Sequence, residues 1–245
     1  MSAGDAVAYI RRPRWTGERA PVDAEGLRHL IVLYMLTVVM VIVVSGVIWP
    51  LILSATGGAM PANANDELIN GSPGQLVLYG IVLAPLIEEA LFRSWLGRPR
   101  AVLAGLPLVA SLVAVMFALG HAGSGMVGVV VAAALGFVSV AAAMRAFSVS
   151  PETAAAARER LFPAAFWGSA VAFALLHVTN FTDDTLGWPW LALAVLPQGL
   201  VGLVLGYVRM RFGLVPAIFY HASYNALFLS IALLAAGLAE APPPA

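Results

Sequence analysis

Long apolar stretches dominate this sequence and leave few folds open to it. Crossing the hydrocarbon core of a bilayer, about 30 Å thick, takes roughly 20 apolar residues in an α-helix. Seven stretches approach or exceed this length: Leu30–Leu53, Gly74–Leu96, Ala101–Gly120, Met126–Met144, Ala164–Thr179, Trp190–Val208 and Leu214–Leu238. The sequence therefore predicts an all-α fold, a polytopic transmembrane helical bundle with about seven spans.

The composition argues against a soluble globular protein. Of the 245 residues, 61% are hydrophobic and only 11% are charged, whereas soluble domains have roughly 45–50% and 25%. Thirteen acidic and thirteen basic residues balance to zero net charge, so we expect the lipid bilayer and no nucleic acid as a partner. Cysteine is absent, which excludes a catalytic thiol and thiolate zinc sites.

The positions of the arginines predict the orientation of the chain. Basic residues in short loops are retained on the cytoplasmic side of a membrane. With a cytoplasmic N-terminus, every arginine of the loops between spans falls on the inner side: Arg98, Arg100, Arg145, Arg158, Arg160, Arg209 and Arg211. We therefore expect a multi-pass integral membrane protein with its C-terminus outside. The alanine-rich composition with arginine and no lysine favours a bacterial plasma membrane.

The chain divides into three predicted regions. Residues 1–28 are arginine-rich and are expected to form a cytoplasmic N-terminal tail, and residues 29–239 form the transmembrane domain. Residues 240–245 contain only Glu, Ala and Pro and are expected to be a disordered tail. Between spans, the sequence near Ser148–Arg160 predicts a short surface helix that opens at Pro151.

An acidic pair lies inside the second apolar stretch, where each ionised group costs about 2.5–3.5 kcal/mol. Glu89 and Arg93 are spaced i,i+4 and can pair on one helical face, whereas Glu88 points about 100° away. Repulsion between the carboxylates prepares Glu88 to accept and return a proton. Alternatively these side chains reach the cytoplasmic interface, but Glu88 lies about 15 Å before Arg98 along a helix.

Two later spans each carry polar residues at helical spacing. His177 follows Phe173 by one turn, and an imidazole can bind an attacking water or a metal. His221 and Asn225 are also spaced i,i+4, so both point into one cleft and could donate to an oxyanion. Each residue could instead be a hydrogen-bonded packing residue between helices. The three polar groups together predict one shared cavity.

These motifs, in this order, resemble those of the CPBP family, which includes CAAX proteases, bacteriocin-processing enzymes and Abi proteins. The resemblance covers residues 77–227 and rests on Glu88-Glu89-x-x-x-Arg93, Phe173-x-x-x-His177 and His221-x-x-x-Asn225. It implies that residues 29–239 form an intramembrane endopeptidase domain. The implied substrates are membrane-anchored or hydrophobic peptides and proteins.

The resemblance also implies a role for each motif residue. Glu88 and His177 would activate a water, while Glu89 would be held by Arg93 and orient the site. His221 and Asn225 would stabilise the oxyanion, with Phe173 and Arg93 as supporting residues: the catalytic set is Glu88, Glu89, His177, His221 and Asn225. This mechanism requires no cofactor. It leaves zinc open, with Glu88, His177 and His221 as the ligands if a metal is bound.

A second Phe-x-x-x-His motif, Phe117 to His121, makes His121 an alternative to His177. His121 ends its span about 31 Å along a helix from Arg100, at the outer surface, where Glu88 could not meet it. We therefore prefer His177 as the histidine of the second motif.

Two other functions remain open from sequence. The Glu pair and the histidines could form the relay of a proton-coupled membrane transporter, although such carriers usually contain inverted repeats and none is evident. The chain could also be a catalytically idle membrane scaffold or immunity protein.

Overall fold

A computed structural model describes residues 2–56, 72–122, 126–181 and 188–239, and within these ranges the chain is helical with no β-strand. The predicted tail at 240–245 lies outside the described residues. The described helices are α1 (Ala3–Arg11), α2 (Ala24–Thr56), α3 (residues 73–93), α4 (Pro99–Ala122), α5 (Met126–Ser148), α6 (Pro151–Leu176), α7 (Trp188–Ala194), α8 (Leu196–Arg211) and α9 (Leu214–Ala239). Two of these contain π-helical turns: Val44–Ile48 in α2 and Leu76–Leu83 in α3.

The predicted all-α membrane bundle is confirmed by the length and apolarity of these helices. Three described helices are long and apolar enough to cross a membrane: Ala24–Thr56, Pro151–Asn180 and Leu214–Ala235. Shorter apolar segments lie at Pro99–Val115 and Ala133–Ser148. The number of seven spans and the orientation of the termini stay predictions.

The surface helix predicted near Ser148–Arg160 is not a separate element. A helix does begin at Pro151, where the Ser150 side chain accepts a hydrogen bond from the Thr153 amide at 3.2 Å. It then runs without interruption through Pro163 to Leu176, so the surface helix and the fifth span are one helix. Pro163 removes one backbone bond but does not end the helix, because tertiary packing holds both halves.

The predicted sixth span, Trp190–Val208, is broken in the structure into α7 and α8. The two helices meet at Val195, whose backbone is not helical. Pro197 lies in the first turn of α8, where the missing N–H costs nothing because first-turn donors have no partner within the helix. The break gives α8 its own direction into the centre of the protein.

Helix α8 is the most buried helix, and it packs against α6 through small residues. A Cβ atom built on Gly202 would lie 3.1 Å from Cδ1 of Phe173, and one on Gly206 would lie 2.9 Å from Cε2 of Phe166. Only residues without a side chain allow α6 and α8 to approach this closely, as in other small-residue contacts between membrane helices. The contact fixes Phe173, which belongs to the candidate site.

The predicted N-terminal tail is folded onto the bundle. In α1, the Tyr9 ring makes edge contacts with Phe166 and Tyr207 at centroid distances of 5.7 and 5.5 Å. Burial raises the pKa of the Tyr9 phenol above its usual value. Farther along, the Ala20 amide donates to the Arg211 carbonyl at 2.7 Å. The segment is therefore part of the folded structure around α6 and α8.

Candidate functional site

The path of α3 explains how Asn225 reaches the acidic pair. In its π-helical turn, the Ala84 amide donates to the Tyr79 carbonyl, five residues earlier. The next hydrogen bond of this kind would join the amide of residue 85 to the Gly80 carbonyl. Pro85 has no N–H, so the Gly80 carbonyl has no donor from its own helix at that position. Asn225 Nδ2 of α9 donates to that carbonyl at 2.8 Å. The asparagine thus ties α9 to α3 about two turns before the Glu pair.

Glu89 lies at the centre of a buried ionic cluster. Its side chain and that of Arg93 are both 0% exposed, and Arg93 Nη1 donates to Glu89 Oε1 on the same helical face. His221 Nδ1 of α9 lies 3.0 Å from the same oxygen. An ionised Glu89 can only accept, so the proton of this contact is on Nδ1 of His221. Glu89 is therefore held from two sides.

Glu88 has a different environment from its neighbour. Its side chain is 18% exposed and faces a cavity, and its Oε2 atom lies 3.7 Å from Nε2 of His221. That distance is longer than a hydrogen bond. Among the described residues, Oε2 of Glu88 has no hydrogen-bond partner. The Oε2 atom itself is buried, and the side chain as a whole lines the cavity.

His177 lies at the end of α6 and faces the same cavity as Glu88. Its Nδ1 is 2.8 Å from the carbonyl oxygen of Phe173, one turn earlier. A carbonyl can only accept, so Nδ1 carries a proton and the neutral ring has its lone pair on Nε2. His177 can therefore accept a hydrogen bond at Nε2.

Phe173 is buried between the polar groups. The guanidinium carbon of Arg93 lies 4.3 Å from the centroid of its ring, within the range of a cation–π contact. Its ring is 4.6 Å from that of His177 and 5.7 Å from that of His221. One aromatic side chain thereby sets the spacing between Arg93 and the two histidines.

Two contacts from other helices fix the end of α3. Arg209 of α8 donates from Nε to the Arg93 carbonyl at 3.0 Å and from Nη2 to the Ser94 carbonyl at 3.2 Å. Ser169 Oγ of α6 donates to the Phe92 carbonyl at 2.7 Å. These donors satisfy carbonyls that a helix end leaves unpaired, and a cation is favourable at that end.

The cavity has a volume of about 910 Å³ and lies between α2, α3, α6, α8 and α9. Its polar side contains Glu88, His177, His221 and Asn225. Its apolar lining includes Val41 and Ile42 of α2 and Phe228 and Leu229 of α9. The three predicted motifs therefore meet at one cavity, as the sequence predicted.

Gln198 is a cavity residue that was not predicted as part of the site. Its side chain lines the cavity, and its Oε1 atom is buried without a hydrogen-bond partner among the described residues. A buried acceptor left unpaired costs about 1–3 kcal/mol. The sequence signal was an amide side chain immediately after Pro197 in an otherwise apolar stretch. Gln198 is thus a further group able to bind a polar ligand.

Two further assignments from the sequence concern the zinc ligands and the alternative histidine, His121. No group of three His, Asp or Glu side chains in the described part of the chain is arranged to hold a metal ion, and the zinc set Glu88, His177 and His221 stays a prediction. His121 belongs to the last turn of α4. Its side chain lies outside the described residues, whereas His177 faces the cavity.

Comparison with known proteins identifies one family. A family model described as type II CAAX prenyl endopeptidase, Rce1-like, matches residues 71–157 and 152–227, which together make up more than half of the chain. The matched ranges include all of the residues predicted for the site. No curated protein and no solved structure gives a significant match.

Proposed function

The chain belongs to the Rce1-like family of type II CAAX prenyl endopeptidases, and we propose that it is an intramembrane endopeptidase that cleaves membrane-anchored or hydrophobic peptides and proteins. The observation that carries the proposal is that Glu88, His177 and His221, from three different helices, line one cavity. The apolarity of three long helices fits an integral membrane protein. The positions of the arginines favour an N-terminus on the inner side of the membrane. The alanine-rich composition without lysine favours a bacterial plasma membrane.

Glu88 is the proposed general base. Of the two adjacent carboxylates it is the one that faces the cavity, because Glu89 is fully buried and paired. A water between Glu88 and His177 would donate one hydrogen to the carboxylate and the other to the lone pair on Nε2 of His177. Both acceptors draw electron density toward the water oxygen and orient it for attack.

The buried charges balance in this arrangement. Glu88 and Glu89 contribute two negative charges, and Arg93 with a protonated His221 contributes two positive ones. Unbalanced charge at low dielectric is costly, and His221 is the side chain that lies within 4 Å of both carboxylates. Protonated His221 donates from Nδ1 to Glu89 and has a second N–H, on Nε2, that can donate into the cavity.

His221 and Asn225 are the proposed oxyanion donors. His221 would donate from Nε2, and Asn225 has two hydrogens on Nδ2, of which one is used by the Gly80 carbonyl. The second can bind the oxygen that becomes negative when water attacks the scissile carbonyl. Removing one such donor typically lowers kcat by about 10²–10³. Asn225 therefore has a structural hydrogen bond and a proposed catalytic one.

The reaction balances without a covalent intermediate. The water oxygen bonds to the carbonyl carbon as Glu88 takes the water proton, which gives a tetrahedral oxyanion. The oxyanion then collapses, the C–N bond breaks, and the proton on Glu88 passes to the leaving amine. The new carboxylic acid gives its remaining water proton to the amine, so the products are a carboxylate and an ammonium group, and the site returns to its starting charge.

The apolar side of the cavity supports a hydrophobic substrate. Residues of α2 and α9, such as Val41, Ile42 and Leu229, line the same cavity as the polar groups. An apolar segment bound there would present its backbone carbonyl to the polar side. Specificity for a prenyl group is a separate question, because the apolar side chains accept either a lipid or an apolar side chain.

A direct test offers two substrates to the purified protein in nanodiscs. One is a farnesylated peptide ending in a CAAX sequence, and the other is an unmodified transmembrane peptide with a flexible flank. Products are identified by mass spectrometry in water enriched in oxygen-18, and cleavage of either peptide with one heavy oxygen in the new carboxylate is expected. Binding of both peptides without cleavage would contradict hydrolysis and favour a scaffold.

A further inference from the structure

A second cavity of about 390 Å³ lies away from the Glu pair, between the N-terminal segment, the α3–α4 connection and the start of α9. Three of its lining residues are arginines: Arg19, Arg98 and Arg209. No carboxylate of the described residues lies within salt-bridge distance of any of them. Three guanidinium groups thus line one space, and the described part of the chain places no carboxylate against them.

Arg209 forms the buried floor of this cavity, with only 5% of its surface exposed. Its Nε and Nη2 atoms donate to the carbonyls of Arg93 and Ser94, which fixes the plane of the guanidinium group. A Cβ atom built on Gly97 would lie 2.9 Å from Nη2, so the glycine makes room for the cation. Two carbonyls, the end of α3 and the more distant Glu89 offset part of the cost of burying this charge, and an anion bound here would reduce that cost further.

Arg19 and Arg98 are exposed at the rim of the cavity. The Ala20 amide donates to the Arg211 carbonyl at 2.7 Å, which anchors the backbone next to Arg19. Gly213 has a positive φ of 112°, and a Cβ atom there would lie 3.4 Å from Nη1 of Arg19. Both rim cations lie close enough to repel the charge of Arg209. The backbone contacts therefore hold Arg19 close to Arg209 although the two side chains carry the same charge.

Two helices also begin at this cavity. Leu214 is the first residue of α9, and Ala101 lies in the first turn of α4, and both line the cavity. The N-terminal end of a helix carries a partial positive charge and favours anions. The helix ends therefore add to the field of the three arginines.

We propose that this cavity, which we name the arginine cavity (Arg19, Arg98 and Arg209 with the starts of α4 and α9), binds a phosphate-bearing anion. The planar fork of a guanidinium group matches two phosphate oxygens, and the site has one fixed fork and two adjustable ones. The source of the phosphate is either the headgroup of an anionic phospholipid or free phosphate. The proposal is independent of the peptidase reaction.

The test uses the full chain, purified in a neutral detergent, and native mass spectrometry. Phosphatidylglycerol, phosphatidylcholine and inorganic phosphate are titrated separately, and phosphate is then added in competition with phosphatidylglycerol.

The pocket variant is Arg19→Gln/Arg98→Gln, which leaves Arg209 in place because Arg209 holds the end of α3. The matched control is Arg11→Gln/Arg12→Gln, which removes the same charge from exposed positions of the same segment. Unchanged melting temperatures show that both variants fold.

The wild-type chain is expected to bind phosphatidylglycerol more tightly than phosphatidylcholine. The affinity of the pocket variant for phosphatidylglycerol should fall roughly 10-fold or more, since each arginine contributes about fivefold. The affinity of the control variant should fall by less than about twofold. Displacement by inorganic phosphate would identify free phosphate as sufficient, and its failure to compete would identify the lipid headgroup. Equal losses in the two variants, or no preference for either phosphate probe over phosphatidylcholine, would overturn the proposal.

Discussion

Nδ1 of His221 lies 3.0 Å from Oε1 of Glu89, the oxygen that also accepts the hydrogen bond from Arg93. The two residues are 132 positions apart in sequence, and both are buried. This contact joins α3 to α9 and gives the adjacent carboxylates different environments. Glu89 is fixed between two donors, whereas Glu88 faces the cavity and is the carboxylate proposed to react.

The buried pair of Glu89 and Arg93 should be strongly coupled. Glu89→Leu or Arg93→Met alone leaves one buried charge without its partner and is expected to lower the free energy of unfolding by roughly 3–5 kcal/mol. The double variant removes both charges and should lose clearly less than the sum. Denaturant unfolding in mixed micelles measures all three variants. Additive losses would contradict the paired role of Glu89.

Asn225 is predicted to have separable structural and catalytic contributions. Asn225→Ala leaves the Gly80 carbonyl unpaired and should cost about 1–3 kcal/mol of stability, together with roughly 10²–10³ in kcat. Pro85→Ala supplies an N–H that the Gly80 carbonyl can accept. The double variant should therefore melt at a higher temperature than Asn225→Ala, and it should be no more active. Recovery of kcat in the double variant would refute the oxyanion role.

The close contact between α6 and α8 gives a test with a matched control on one helix. Gly206→Ala places a Cβ atom 2.9 Å from the buried Phe166 ring, so overpacking should lower the free energy of unfolding by about 1–3 kcal/mol. Gly199→Ala places its Cβ atom 3.5 Å from that of Ala174, an ordinary contact. Thermal melting in detergent should separate the two variants. Equal melting temperatures would mean that the helices can move apart freely.

The proposed reaction uses no metal ion. Because Glu88 is proposed to take the water proton directly, we predict that exhaustive treatment with a chelator leaves kcat unchanged. Elemental analysis of the treated protein checks that metal is gone. Loss of activity that returns on adding zinc would contradict this prediction.

The sequence predicted contacts that follow from helical spacing. Glu89 with Arg93 and Phe173 with His177 are each four residues apart, so any helix brings the members of a pair together. The meeting of the three motifs could be expected because isolated polar groups are costly in an apolar bundle.

Contacts that depend on irregular backbone could not be predicted in this way. Asn225 binds the Gly80 carbonyl because a π-helical turn precedes Pro85, and the hydrophobic pattern contains no signal for such a turn. The surface helix near Ser148–Arg160 was expected to be separate from the fifth span, but the structure has one continuous helix. The packing of α1 on the bundle and the formation of the arginine cavity both depend on tertiary contacts between distant segments. Hydrophobic periodicity reports only local structure and does not predict such contacts.

The most direct measurement of the central claim compares kcat for wild-type protein and Glu88→Gln in nanodiscs on a peptide that the wild type cleaves. The amide keeps the size of the side chain but cannot take a proton, so kcat should fall by roughly 10²–10⁴ while the melting temperature is retained. Glu159→Gln, at a side chain that is 73% exposed, serves as the control and should be fully active. If Glu88→Gln cleaves the peptide as fast as the wild type, Glu88 is not the base and the account is wrong.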